Sequence, residues 1–245
     1  MAQIRAFFTE EEQAEFVEEH GIMMRYYERT LCPCLAINKG IPDKNCDCLG
    51  GFRYSDPIDY KVQRGSINYR SLPTDIGMIL QGGCRLTIPA KTVARDTEGD
   101  ISDYPENPLY LRVARGDVFC EMNFSRRDGD ILWRGTRDFL YSFDVEEILR
   151  VVDRTKEYAA HDDYTFDPET KRITFMSDKG PATGQPYTVE FLSKVQYVVW
   201  NDQAKHRGSD INPLARYVYC QLRQYVPLGT SSPVDNLSSL SEDIP

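Results

Sequence analysis

The stretch CPCLAINKGIPDKNCDCLGGFRY, residues 32 to 54, carries four of the chain's seven cysteines as two Cys-x-Cys pairs, Cys32/Cys34 and Cys46/Cys48. Thiols so grouped hold a metal ion, close into disulfides, or stay free. Zinc takes four thiolate or imidazole ligands in a tetrahedron, and two short chelating turns joined by a loop can supply them. The joining segment LAINKGIPDKN contains Gly40 and Pro42, which can turn the chain back. Gly50 and Gly51 follow the second pair, where a small residue lets backbone amides reach sulfur. Against this, one intervening residue makes a tighter chelate than the usual two to four, and Pro33 removes a backbone donor. The residues favour a structural Zn2+ site on Cys32, Cys34, Cys46 and Cys48. Disulfides formed after release from the cell, or free thiols, remain the alternatives. Four protein ligands leave no open position for catalysis, so the role expected is mechanical: to fix the helix before the clasp against the body after it.

Other reactive groupings are sparse. The histidines His20, His161 and His206 belong to no His-Glu-x-x-His, and there is no Gly-x-Ser-x-Gly or phosphate-cradling glycine loop. Asp162/Asp163 and Glu146/Glu147 are adjacent pairs, which on a strand point to opposite faces and make poor acid/base dyads. RDTEGDISDYPEN carries Asp96, Glu98, Asp100 and Asp103 but lacks the twelfth-position glutamate of an EF-hand, and reads as a polar surface loop. No catalytic residues are expected, and no enzyme.

The elements that must position the clasp follow from patterning. Thr9 and Glu12 form a capping-box pair, and a helix from about 10 to 29 is expected, weakened or bent at Gly21. It packs on its own domain or docks on a neighbouring subunit. After the clasp, short alternating runs separated by Gly, Pro, Asn and Asp read as strands: CRLTIPA, LYLRVARGDVFCEMNF and GDILWRGT. DYTFDPETKRITF reads as a β-hairpin about Asp-Pro-Glu-Thr, and PYTVEFLSKVQYVVW as another. DVEEILRVVDR fits helix or strand, and LARYVYCQLRQYV tips to strand. The fold expected is α+β, mainly β. It has a helix and cysteine clasp over 1–55 and an antiparallel β barrel or sandwich over 56–226, as one domain or two splitting near 136. An extended Ser- and Pro-rich tail over 227–245 completes it.

Composition narrows the function. With 38 acidic against 29 basic residues, the formal charge over 245 residues is −9, and the basic residues form no stripe. This argues against a zinc-knuckle module that binds nucleic acid by neutralising phosphates or regulates packaging. No run of some 18 apolar residues is present. MAQIRAFFTEEEQAEF lacks the apolar core and cleavage site of a signal peptide, so a reducing, cytosol-like compartment and no membrane partner are expected. There, Cys84, Cys120 and Cys220, isolated among apolar neighbours, read as buried structural thiols.

HGIMMRYYERTLCPC and GIPDKNCDCLGGFRY, followed by GGCRLTIPA, ARGDVF, ILRVVD, DYTFDPETKRITF and YTVEFLSKVQYVVW, together resemble structural proteins of tailed bacteriophages, specifically neck or head-to-tail connector proteins. The resemblance spans most of residues 20 to 225, and its most specific part is the double cysteine pair before Gly-Gly-Phe-Arg-Tyr. Members of that family often carry Cys-x-x-Cys in the second pair, where this chain has Cys46-Asp47-Cys48. The resemblance implies a β-barrel or β-sandwich subunit made in the host cytoplasm and placed in the virion neck. Its partners would be identical subunits in a ring and the portal or adaptor and tail-terminator-type proteins of the virion. The helix, the loop at 96 to 108 and the tail would reach neighbours. Acidic charge lining a channel would let genomic DNA pass without sticking. A tail-tube or baseplate subunit is the structural alternative.

Overall fold

The computed structural model describes residues 9–39, 41, 46, 48, 51–66, 82–95, 109–135, 138–140, 144–201 and 215–223. The acidic loop at 96–108, His206 and the tail lie outside the described residues. The chain is mainly β, with an N-terminal helix and a large antiparallel sheet, the fold class expected. Among the described residues, no helix is long and apolar enough to cross a membrane.

Helix α1 spans Glu10–His20 and starts as anticipated: the Thr9 amide donates to Glu12 Oε2 at 2.7 Å, and the Glu12 amide to Thr9 Oγ1 at 3.2 Å. It is shorter than expected. Gly21 leaves the helix with φ −74° and ψ 162°, and Ile22–Tyr27 form strand β1 rather than a further helical turn. The alternation that puts Met24 and Tyr26 in the core suits a strand, and β1 gains a hydrogen-bonded neighbour on each side. Those ladders override local helix propensity. The helix packs on its own body. Among its described side chains it buries Val17 alone, and it is tied down by ion pairs from Lys61 and Arg95 to Glu18 and from Lys91 to Glu11.

Next come β2 (Arg29–Leu31), the short helix α2 (Pro33–Ile37), β3 (Phe52–Tyr54), β4 (Ile58–Ser66), β5 (Gly83–Pro89) and β6 (Ala94–Arg95). The run from Leu109 differs from expectation at both ends. Leu109–Arg112 is a helical turn, α3, and β7 (Val118–Trp133) joins two expected strands into one. Strands β8 (Val145–Val152), β9 (Glu157–Tyr158), β10 (Tyr164–Asp167), β11 (Arg172–Phe175), β12 (Pro186–Asn201) and β13 (Ala215–Leu222) complete the order. The expected hairpin at 164–175 is present, with Tyr164 opposite Phe175 and Asp167 opposite Arg172. The second expected hairpin is absent. Residues 186–201 run as a single strand with a register shift between Lys194 and Gln196, because nothing there supplies turn chemistry and β7 lies alongside throughout.

Strand pairings β1–β4–β5–β13–β12–β7–β1 are all antiparallel and return to their start, as in a small barrel. Every strand of this circuit sends side chains into one core: Met24 and Tyr26, Tyr60 and Val62, Leu86 and Ile88, Phe119, Tyr197 and Val199, and Val218 and Cys220. Leu109 and Val113 join that core from α3 and the residue after it. A second core forms where β7 and β12 run on beside β8 and β9. The β10–β11 hairpin packs Tyr164, Ile173 and Phe175 against Leu132, Val151, Tyr187, Val189 and Phe191.

One irregularity serves both cores. Cys120 to Ser125 covers five steps of β7 against two of β12, Gln196 to Lys194. An odd excess of residues exchanges the faces of a strand. Phe119 therefore points into the first core and Leu132 into the second, while β12 keeps its odd-numbered residues inward throughout.

At the edge of the second body, Asp153 accepts from Tyr158 Oη, the Thr155 amide and hydroxyl, and the Lys156 amide. These donors, Tyr158 first, hold its carboxyl well below the usual carboxylate range. A carboxyl depressed in the fold adds stability above its unfolded pKa, and that stability is lost as pH falls through the folded value. Asp153→Ala is expected to cost about 1 kcal/mol at pH 7 and less in strong acid, as read from urea midpoints at the two pH values.

Candidate metal centre

The clasp hangs on a two-stranded ribbon. β2 and β3 pair Arg29 with Tyr54, Thr30 with Arg53 and Leu31 with Phe52, which brings the two ends of the cysteine segment together. The Cys32 amide closes the ribbon by donating to the Gly51 carbonyl at 2.8 Å. Helix α2 follows, with Cys32 as its N-cap and Pro33 at its first position. The sequence raised Pro33 as a lost donor, but at the first position of a helix that amide has no intrahelical partner. The next amide, that of Cys34, donates to the Cys32 thiol.

All four sulfurs lie within 4.8 Å of one another. Cys32 Sγ is 3.6 Å from Cys46 Sγ, and Cys34 Sγ is 3.5 Å from Cys48 Sγ. A disulfide bond is about 2.05 Å, so neither contact is one, and none of the four cysteines is in a disulfide. A tetrahedron of thiolates about 2.3 Å from a central ion has edges of about 3.8 Å. The cluster thus fits one metal ion held by Cys32, Cys34, Cys46 and Cys48, three of them buried and Cys46 half-buried. Among the described residues it is the one grouping of three or more metal-ligating side chains close enough to share an ion.

The surroundings favour thiolate at Cys32 and disfavour it at Cys48. The Cys34 amide and neighbouring thiols draw the Cys32 pKa down to about 7. Burial raises that of Cys48 to about 12, although the Gly51 amide donates to its sulfur. Gly51 has φ +94°, and a Cβ there would stand 2.7 Å from the Leu35 side chain, so glycine is required for both backbone and space.

The chain matches no protein-family model and no curated protein. Its cysteine cluster must therefore be read from its own chemistry.

Sequence reasoning passed over Arg53, although it lies in the Gly-Gly-Phe-Arg-Tyr run. Its guanidinium is hydrogen-bonded to the thiols of Cys32 and Cys46, which raises its own pKa. A divalent ion in four thiolates leaves two net negative charges, and Arg53 offsets part of them. Groups that hydrogen-bond to ligands typically change metal affinity 10- to 100-fold. Arg53→Ala is expected to weaken metal retention about ten-fold, measured by competition with a chromogenic chelator, while Arg53→Lys keeps most of it.

The remaining singled-out residues come together into no site. His20 and His161 are exposed. Asp163 accepts from the Ala159 amide in a turn. Glu146 of β8 pairs with Lys194 of β12, and its neighbour Glu147 is exposed. The adjacent basic residues Arg126 and Arg127 are engaged in ion pairs, with Asp128 and Glu190 respectively.

Proposed function

We propose that this chain is a virion structural protein, a subunit of a ring in the neck of a tailed phage, and that its cysteine cluster holds a structural zinc ion. Tetrahedral sulfur sites select zinc or iron, and zinc suits a role without redox chemistry. The observation that carries the reading is what the clasp presents. It holds Leu31, Ile37 and Ile41 in water at 72%, 79% and 69% exposure. A metal that fixes three large aliphatic side chains outward makes sense where another polypeptide covers them.

A ring supplies that cover without a second gene product, since head-to-tail contacts between identical subunits close when the rotation allows. Portal or adaptor proteins on one side and tail-terminator-type proteins on the other would complete the set of partners. The net charge of −9 suits a channel wall along which DNA slides. No enzymatic step belongs to this reading.

Light scattering behind size exclusion is expected to find a closed oligomer for the wild type. Ile37→Asp is expected to yield a folded, metal-loaded monomer. A wild-type chain that stays monomeric within particles overturns the proposal, and an image placing it in the tail tube or baseplate moves the ring rather than removing it.

A further inference from the structure

We infer that Cys84 and Cys220 form a second thiol pair, built to close into a cross-strand disulfide when the protein meets a disulfide oxidant. The two stand directly opposite each other in the β5–β13 ladder. Both project into the barrel core, Cys84 at 7% and Cys220 at 0% exposure, and their thiols are hydrogen-bonded to each other. Directly opposed residues of an antiparallel pair have Cα atoms about 4.5 or 5.5 Å apart. Both spacings fall within the roughly 4.4–6.8 Å that a disulfide spans, so closure needs side-chain rotation and no backbone shift.

Cys120 is the internal contrast. It belongs to a different apolar cluster, on the other face of β7, and its ladder partners are Arg25 and Gln196 rather than a thiol.

Position gives the pair its access. Among the described residues, the rung Gln221–Gly83 and the bond from the Leu222 amide to the Gly82 carbonyl are all that lies beyond it, so Cys84 and Cys220 sit near the end of the β5–β13 ladder. Terminal rungs open more readily than central ones. On opening, the Cys84 thiolate attacks one sulfur of a small-molecule disulfide and expels the other half as a thiolate. The Cys220 thiolate then attacks the Cys84 sulfur of the mixed disulfide and expels the second half. The two protein thiols lose two protons and two electrons, and one external disulfide becomes two thiols.

The product ties β13 to β5 and locks one seam of the strand circuit. A particle leaving a reducing cytosol for an oxidising medium would meet the necessary oxidant. That occasion rests on the virion reading, whereas the chemistry does not.

The test is to incubate the full, zinc-saturated chain with oxidised glutathione at pH 8, block free thiols by alkylation, and map peptides without reduction. The expected result is a Cys84–Cys220 cross-linked peptide, alkylated Cys120, and a rise in Tm of about 10 °C that dithiothreitol reverses. Cys84→Ser and Cys220→Ser should each lose cross-link and shift together, and Cys84→Ala serves if the serine variants fail to fold. Cys84 and Cys220 both remaining alkylatable after prolonged oxidation, ending as separate glutathione adducts, or pairing with other cysteines overturns the proposal. The map reads this pair whether or not the clasp holds zinc or the chain forms rings.

Discussion

Protein purified under reducing conditions is expected to contain about one zinc ion per chain, and a strong chelator should unfold residues 32–54 while leaving the barrel folded. The size of the effect follows from what else holds the clasp. Its apolar cluster consists of Cys32, Cys34 and Cys48 with Leu35 and Cys46 against them, so without a metal it is little more than sulfur and one leucine. Helix α2 is a single short turn, and β2 and β3 contribute three rungs. None of these is stable alone in water. Zinc in such segments supplies on the order of 10 kcal/mol of folding free energy. Hydrogen exchange should show full loss of protection at Cys32 and Asn38, whose amides now donate to Gly51 and Cys34 carbonyls, with β1, β7 and β12 unchanged. Cys48→Ser should reproduce the chelated state. Elemental analysis that finds no metal, together with Cys32–Cys46 and Cys34–Cys48 disulfides in freshly purified protein, would refute this.

How much of this was legible beforehand varied with the kind of signal. The capping box at Thr9 and Glu12, the hairpin about Asp167 and Pro168, and the clasp were readable because each is decided by residues a few positions apart. The end of α1 was not, because MMRYY is compatible with either period and the decision lies with β4 and β7, distant in sequence. The same holds for 186–201. Its alternation was visible, but whether it folds back or runs straight depends on β7 offering a partner along its whole length. The three-residue excess in β7 left no local mark at all, since the need to change faces exists only once both cores are assembled. Arg53 was missed for a related reason. An arginine in a Gly-rich run reads as a surface residue until Thr30 opposite sets its place beside the sulfurs.

Asp117→Ala is expected to destabilise the whole chain by about 3–5 kcal/mol, more than any other single polar substitution proposed. Asp117 is 1% exposed and serves three donors from separate parts of the fold. Tyr26 Oη, from inside the barrel, lies at 2.6 Å, the Arg29 amide at 2.9 Å and the Ala114 amide at 2.7 Å. One carboxylate thus joins the core, the first residue of the clasp ribbon and the turn that enters β7. Alanine leaves all three without this acceptor, two of them backbone amides. The turn itself is equally constrained: Gly116 sits at φ +90°, and a Cβ there would fall 2.1 Å from the Arg29 guanidinium carbon. Burial raises the Asp117 pKa, and the hydrogen bonds from Tyr26, Ala114 and Arg29 offset only part of that rise. A carboxyl raised in the fold binds its proton more tightly there than in the unfolded chain, so its contribution is most favourable at low pH. That contribution declines as pH climbs from the unfolded value through the folded one, then stays constant. Urea titrations should therefore find the Asp117→Ala loss at neutral pH, together with removal of this decline between the two pKa values. Zinc content should be unchanged, because the sulfurs keep their own ribbon. An Asp117→Ala variant as stable as wild type would mean that water replaces the carboxylate at the joint, and that barrel and clasp are coupled through the metal-held ribbon alone.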